Sequence, residues 1–96
     1  YIKEYGVTNL DYDFIMHNVK ADIIELLALS ENQVRENLAY YNQCGIKKNI
    51  SKLILYRPDL IIISKENLIE LLSKIDINVF RTILEKKVED LILFGI

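Results

Sequence analysis

All three glycines of this 96-residue chain stand in one local pattern, an apolar residue followed by Gly and then by Val or Ile. The copies are Tyr5-Gly6-Val7, Cys44-Gly45-Ile46 and Phe94-Gly95-Ile96. Three positions before each copy lies a further apolar residue, Ile2, Tyr41 or Leu91. A helix commonly ends where glycine takes the left-handed conformation, and an apolar residue just beyond it packs back against the last turn. The pattern therefore predicts three helix ends, each followed by a residue that drops into the core. Beyond these three Gly the chain has a single Pro, too few for the turn-rich chemistry of an all-β domain.

The helices between these stops follow from apolar spacing. Ser30-Glu31-Asn32-Gln33 has the form of a capping box, and Val34, Leu38 and Tyr41 then recur on one stripe. A helix over about residues 31–43 is expected, ending at Gly45. The same grammar returns 34 residues later, where Ser64-Lys65-Glu66-Asn67 precedes Leu68, Leu72 and Ile75. Between them, Asn49 is a candidate cap for a short helix carrying Ile50, Leu53 and Ile54, which Pro58 must stop. Asp59 to Ile63 reads as a brief apolar link. Asp76 is placed to cap a helix with Val79, Phe80, Ile83 and Leu84, and a last helix with Val88, Leu91 and Ile92 runs to Gly95. Upstream, Leu10, Phe14 and Ile15 predict one short helix, and Ile23, Ile24, Leu26 and Leu27 another.

Units of this size cannot bury their apolar faces alone, so the expected architecture is all-α, a short α-solenoid of stacked repeats over residues 1–96. The start at Tyr1 and the apolar Phe94-Gly95-Ile96 end lead us to expect a piece of a longer chain. A tetratricopeptide array shares the 34-residue period but needs small residues where its helices cross, and here those places hold Val, Leu and Ile. The longest apolar runs, such as Leu60-Ile61-Ile62-Ile63, fall far short of a membrane span of ~20 residues. One cysteine, Cys44, has no internal disulfide partner, and a reducing, intracellular compartment is expected.

Several segments together resemble repeats of the mitochondrial transcription termination factor (mTERF) family. They are Leu29-Ser30 through Cys44-Gly45-Ile46, Ile50 through Tyr56-Arg57-Pro58-Asp59-Leu60, and Ser64-Lys65-Glu66-Asn67-Leu68. Those repeats combine a leucine-bearing helix ending in Gly-Ile or Gly-Leu, a short helix, a Pro followed by apolar residues, and a Ser-led helix. The likeness is closest over residues 29–72. It departs at residues 18–20, which lack the Pro, and at 76–80, which lack the Gly. The resemblance implies a nucleic-acid-binding helical array with a role in regulating transcription.

The residues themselves leave two functions open. The net charge of −2 does not advertise a nucleic-acid partner, but residues 47–58 hold Lys47, Lys48, Lys52 and Arg57 with no acid. On a helix starting near Asn49, Lys52 and Tyr56 are four apart and project together, away from the apolar stripe. Lys47, Lys48, Lys52, Tyr56 and Arg57 are therefore the candidate phosphate contacts. The alternative is a protein-interaction scaffold, which the acidic first half favours. Catalysis is not expected. His17 is the only histidine, Cys44 reads as a small core residue, and no Cys/His/carboxylate set has metal-ligand spacing. No Gly-rich phosphate loop is present, and neither a cofactor nor a small-molecule substrate is indicated.

Overall fold

Glycine sets the helix ends as its local chemistry requires. The computed structural model describes residues 1–47 and 49–96. Gly45 has φ +84°; its N–H donates to the Asn42 carbonyl and the Ile46 N–H to the Tyr41 carbonyl, at 3.0 and 2.9 Å. Gly95 repeats this, with its own N–H on Ile92 and the Ile96 N–H on Leu91. Each pair satisfies carbonyls that a helix end leaves without partners. The residue after each glycine, Val7, Ile46 or Ile96, is buried, and so are Ile2, Tyr41 and Leu91 before them.

Helices are the regular structure of the described residues, with no strand among them. A 3-10 turn, Ile2–Tyr5, leads to α1 (Asn9–Asn18), α2 (Ala21–Leu29) and α3 (Glu31–Gln43). The helices α4 (Ile50–Tyr56), α5 (Asp59–Ile62), α6 (Lys65–Leu72) and α7 (Ile77–Lys86) follow, and a 3-10 segment, Val88–Phe94, ends the chain. Ser64 and Asp76 cap as their spacing predicts: Ser64 Oγ accepts from the Asn67 N–H, and Asp76 Oδ1 from the N–H groups of Asn78 and Val79.

Four expectations need correction. Ser30 makes no side-chain cap. With φ −104° and ψ 26° it continues the turn out of α2, and its N–H bonds back to the Leu26 carbonyl. An N-cap needs extended backbone to bring its oxygen over the first turn, and Ser30 lacks it. Asn49, at φ −100° and ψ 11°, fails for the same reason. The link after Pro58 is the helical turn α5, because Pro suits the start of a helix as well as it stops one. The apolar residues of α1 face mostly outward: Ile15 is buried, while Leu10 and Phe14 are 80% and 53% exposed. The outer positions Val79 and Ile92 are likewise exposed.

The core runs along α3. Val34, Leu38 and Tyr41 are fully buried, and the Tyr41 ring stacks on Phe80 at 6.2 Å between centroids. Ile50, Leu53 and Ile54 of α4, Leu60 and Ile61 of α5, Leu68 of α6 and Leu84 of α7 close around them. Segments of like position in the pattern lie side by side. Of the three that precede a glycine, Ile2–Tyr5 and α3 pack together, while Val88–Phe94 packs on α4 and α7; α1 and α4, which each follow a glycine, pack together, and α3 also packs on α6. Arg35 fastens the first pair through Glu4 and Glu31 at 2.5 and 2.7 Å, with its guanidinium over the Tyr1 ring.

A second face of α3 carries polar donors. Tyr41 Oη donates to the Leu60 carbonyl at 2.8 Å, Asn37 Nδ2 to Ile61 and Ile63 at 2.8 and 2.5 Å, and Gln33 Nε2 to Ile62. Side chains spaced by four along one helix thus serve four successive carbonyls at the end of α5, groups too close to a helix end to find backbone partners. Asn37 is fully buried, and its amide orientation is set by the two carbonyls that Nδ2 meets. Gln33, placed by sequence in a capping box, belongs to this row instead.

Candidate anion-binding groove

The candidate residues on α4 are divided by the helix itself. Ile50, Leu53 and Ile54 take the core side, which turns Lys52 and Tyr56 outward as their spacing predicts. Lys52 is half-buried, however, and its Nζ donates to the carbonyls of Leu84 and Glu85 at 2.8 and 2.9 Å. These carbonyls lie in the last turn of α7, at the negative end of its dipole, where an ammonium is stabilising. Lys52 is thus an inter-helix cap as well as a cation, with one of its three donors left over. Tyr56 is 58% exposed.

Arg57 corrects the sequence reading more fully. Its guanidinium takes both oxygens of Asp59, at 3.1 and 3.0 Å, and Nη2 also donates to the Ile96 carbonyl at 2.7 Å. With its side chain 20% exposed, it fastens Ile96 to the Pro58 joint, and its Nη1 is buried with no partner among the described residues. Lys47 is exposed. Lys48 lies outside the described residues.

Tertiary structure adds residues that sequence reasoning passed over. A cleft of about 380 Å³ is lined by Lys47, Asn49, Arg81, Leu84 and Glu85 together with the Gly45-Ile46 turn. A second, of about 200 Å³, is lined by Lys52, Tyr56, Leu84, Lys86, Lys87, Val88 and Glu89. The two clefts share Leu84 as a wall and together make up the candidate groove beside α7. Five cationic side chains line it, from the loop after Gly45, α4, α7 and the turn beyond α7, against the acids Glu85 and Glu89. Arg81 lies across Gly45 and donates to Asn78 Oδ1. Lys86 and Lys87 have Glu85, Glu89 and Asp90 as chain neighbours, yet the fold sets Lys52 and Tyr56 beside them and leaves Asp90 outside the lining. The helical wheel of α7 marks Arg81 and Glu85 as flanks of the Phe80/Leu84 stripe; nothing local says which element they face.

Other chemistry-bearing groups stand apart from this groove. His17 is exposed on α1 with Nδ1 2.7 Å from the Asp13 carbonyl, and Cys44 is half-buried at the end of α3. Among the described residues no three His, Cys, Asp or Glu side chains gather as a metal-ligand group. No helix among them is long and apolar enough to cross a membrane. Comparison with protein-family models, curated proteins and solved structures finds no match to this chain.

Proposed function

We propose that this chain is a helical-repeat binding module that holds nucleic acid by its phosphates along the α4–α7 groove. The observation that carries the reading is the placement of Lys47 and Arg81 in one cleft and of Lys52, Lys86 and Lys87 in a second that shares its Leu84 wall, in a protein that is acidic overall. Phosphate recognition needs fixed cations at such spacing, and Lys52 is held by its two carbonyl bonds. The side-by-side packing of like-placed segments supports the solenoid reading, and with it the mTERF-like pattern of the residues.

Fluorescence polarisation with labelled oligonucleotides across a salt series tests this. Binding should weaken steeply as salt rises, by roughly 0.7 to 0.9 log units per log of salt for each phosphate neutralised. Replacing Lys86→Glu together with Lys87→Glu should lower affinity at least tenfold at low salt while the circular dichroism spectrum stays unchanged. Undiminished binding by that variant would sink the groove as the contact surface.

A protein-interaction scaffold is the second reading, and a separate observation favours it. Leu10 and Leu29 near one end of the chain, and Ile92 and Leu93 near the other, are each 70–80% exposed. Exposed apolar side chains mark contact surfaces where they form continuous patches. A module of this kind binds oligonucleotides no better than its net charge of −2 allows, so the same salt series separates the two readings.

A further inference from the structure

We infer that the groove takes single-stranded rather than duplex nucleic acid, with one unstacked base lying against Tyr56; this rests on the nucleic-acid reading above and specifies the form of its ligand. The inference starts from the placement of Tyr56. Among the described residues it is the only aromatic one lining these clefts, it is 58% exposed, and it shares its cleft with Lys52, Lys86 and Lys87. The core does not account for its position, because α4 buries Ile50, Leu53 and Ile54 on its other side.

An aromatic ring beside lysines, one of them held in place, matches a single strand better than a duplex. In a duplex each base is covered on both faces by its neighbours, so a ring at the wall of a cleft meets sugar, phosphate and base edges but no base face. In a single strand the base turns outward and stacks on the ring, while the flanking phosphates remain within reach of lysines. The cleft around Tyr56, about 200 Å³, has room for a base but not for a duplex. Glu89 also lines this cleft and Glu85 the adjoining one. Each disfavours a phosphate in its immediate neighbourhood, which leaves the Lys86-Lys87 side and the spare donor of Lys52 as the anionic subsites.

The test compares one sequence of about a dozen nucleotides in three forms, single-stranded, duplex, and abasic single-stranded, each titrated against the 96-residue chain at low salt. The inference expects the single strand to bind most tightly and the abasic strand to lose about tenfold, the scale of one stacking contact. Tyr56→Ala should lose a similar factor for the single strand and nothing for the abasic strand, whereas Tyr56→Phe should retain affinity. Because this side chain is largely outside the core, both variants are expected to keep the wild-type circular dichroism spectrum and melting temperature. Duplex binding equal to or tighter than single-strand binding overturns the inference and leaves the groove intact, as does an unaffected Tyr56→Ala. Failure of every form to bind at low salt overturns the groove reading itself.

Discussion

Gln33, Asn37 and Tyr41 give α3 a job that its apolar stripe does not reveal. Their donors serve the carbonyls of residues 60–63, so the short α5 depends on α3 for hydrogen bonds it cannot make itself. Replacing Asn37→Leu leaves the buried Ile61 carbonyl and the part-buried Ile63 carbonyl without this partner and should cost roughly 1–3 kcal/mol of unfolding free energy in urea titrations. Tyr41→Phe removes one bond and keeps the ring on Phe80, so about 1 kcal/mol is expected. The same hydroxyl makes stability depend on alkaline pH. Burial raises the Tyr41 pKa above its ordinary 10.0, so the folded state holds this proton more tightly than the unfolded one. Its contribution is therefore complete below pH 10 and declines as pH rises beyond it. Chemical denaturation at pH 9 and at pH 11 should show a smaller alkaline loss in Tyr41→Phe than in the wild type. At Gly6 the constraint is steric: φ is +104°, and a Cβ there would stand 2.6 Å from the Lys47 carbonyl oxygen. Gly6→Ala meets both the backbone strain and a clash with main chain, and a loss of about 1–3 kcal/mol is expected in the same assay.

At the scale of elements, the caps divide by backbone conformation and not by residue type. Ser64 and Asp76 sit in extended backbone and accept from the turn ahead, whereas Ser30 and Asn49 sit near the helical region and accept nothing. Asp76→Ala should therefore lower stability by about 1 kcal/mol, and Ser30→Ala should change it by only a few tenths, as read from urea midpoints. An equal loss at both positions would show that Ser30 acts as a cap in solution. This outcome was only half legible in the sequence. The S-x-x-Q and S-x-x-N strings are alike, but Ser30 follows α2 with no intervening break, and the handover between two consecutive helices is decided by how they pack. The end of α4 was fully legible, because Pro58 excludes the helical conformation from Arg57 regardless of context.

At the scale of the whole molecule, the groove depends on contacts between segments some 30 residues apart. Lys52 lies 32 and 33 residues from the carbonyls it meets, and Arg57 lies 39 from Ile96. Lys52→Met removes the bridge and one positive charge while keeping the aliphatic stem, so weaker oligonucleotide binding should accompany a small fall in melting temperature. By contrast, Lys47→Met, at an exposed site, should weaken binding alone. The sequence by itself determined the all-helical character, the three glycine stops, the Pro58 joint and the buried stripes Val34/Leu38/Tyr41 and Ile50/Leu53/Ile54. Each of these rests on backbone sterics or on helical period, both local properties of the chain. Tertiary structure alone decided which polar side chains were taken into the fold and which were left facing solvent. It turned Gln33 from a cap into a rung against α5, drew Arg57 onto Asp59 and Ile96, and set Lys86 and Lys87 beside Tyr56. A charged side chain is claimed by whichever unsatisfied carbonyl or carboxylate packing brings within about 3 Å, and which helix end lies there follows from the stacking of segments distant in sequence.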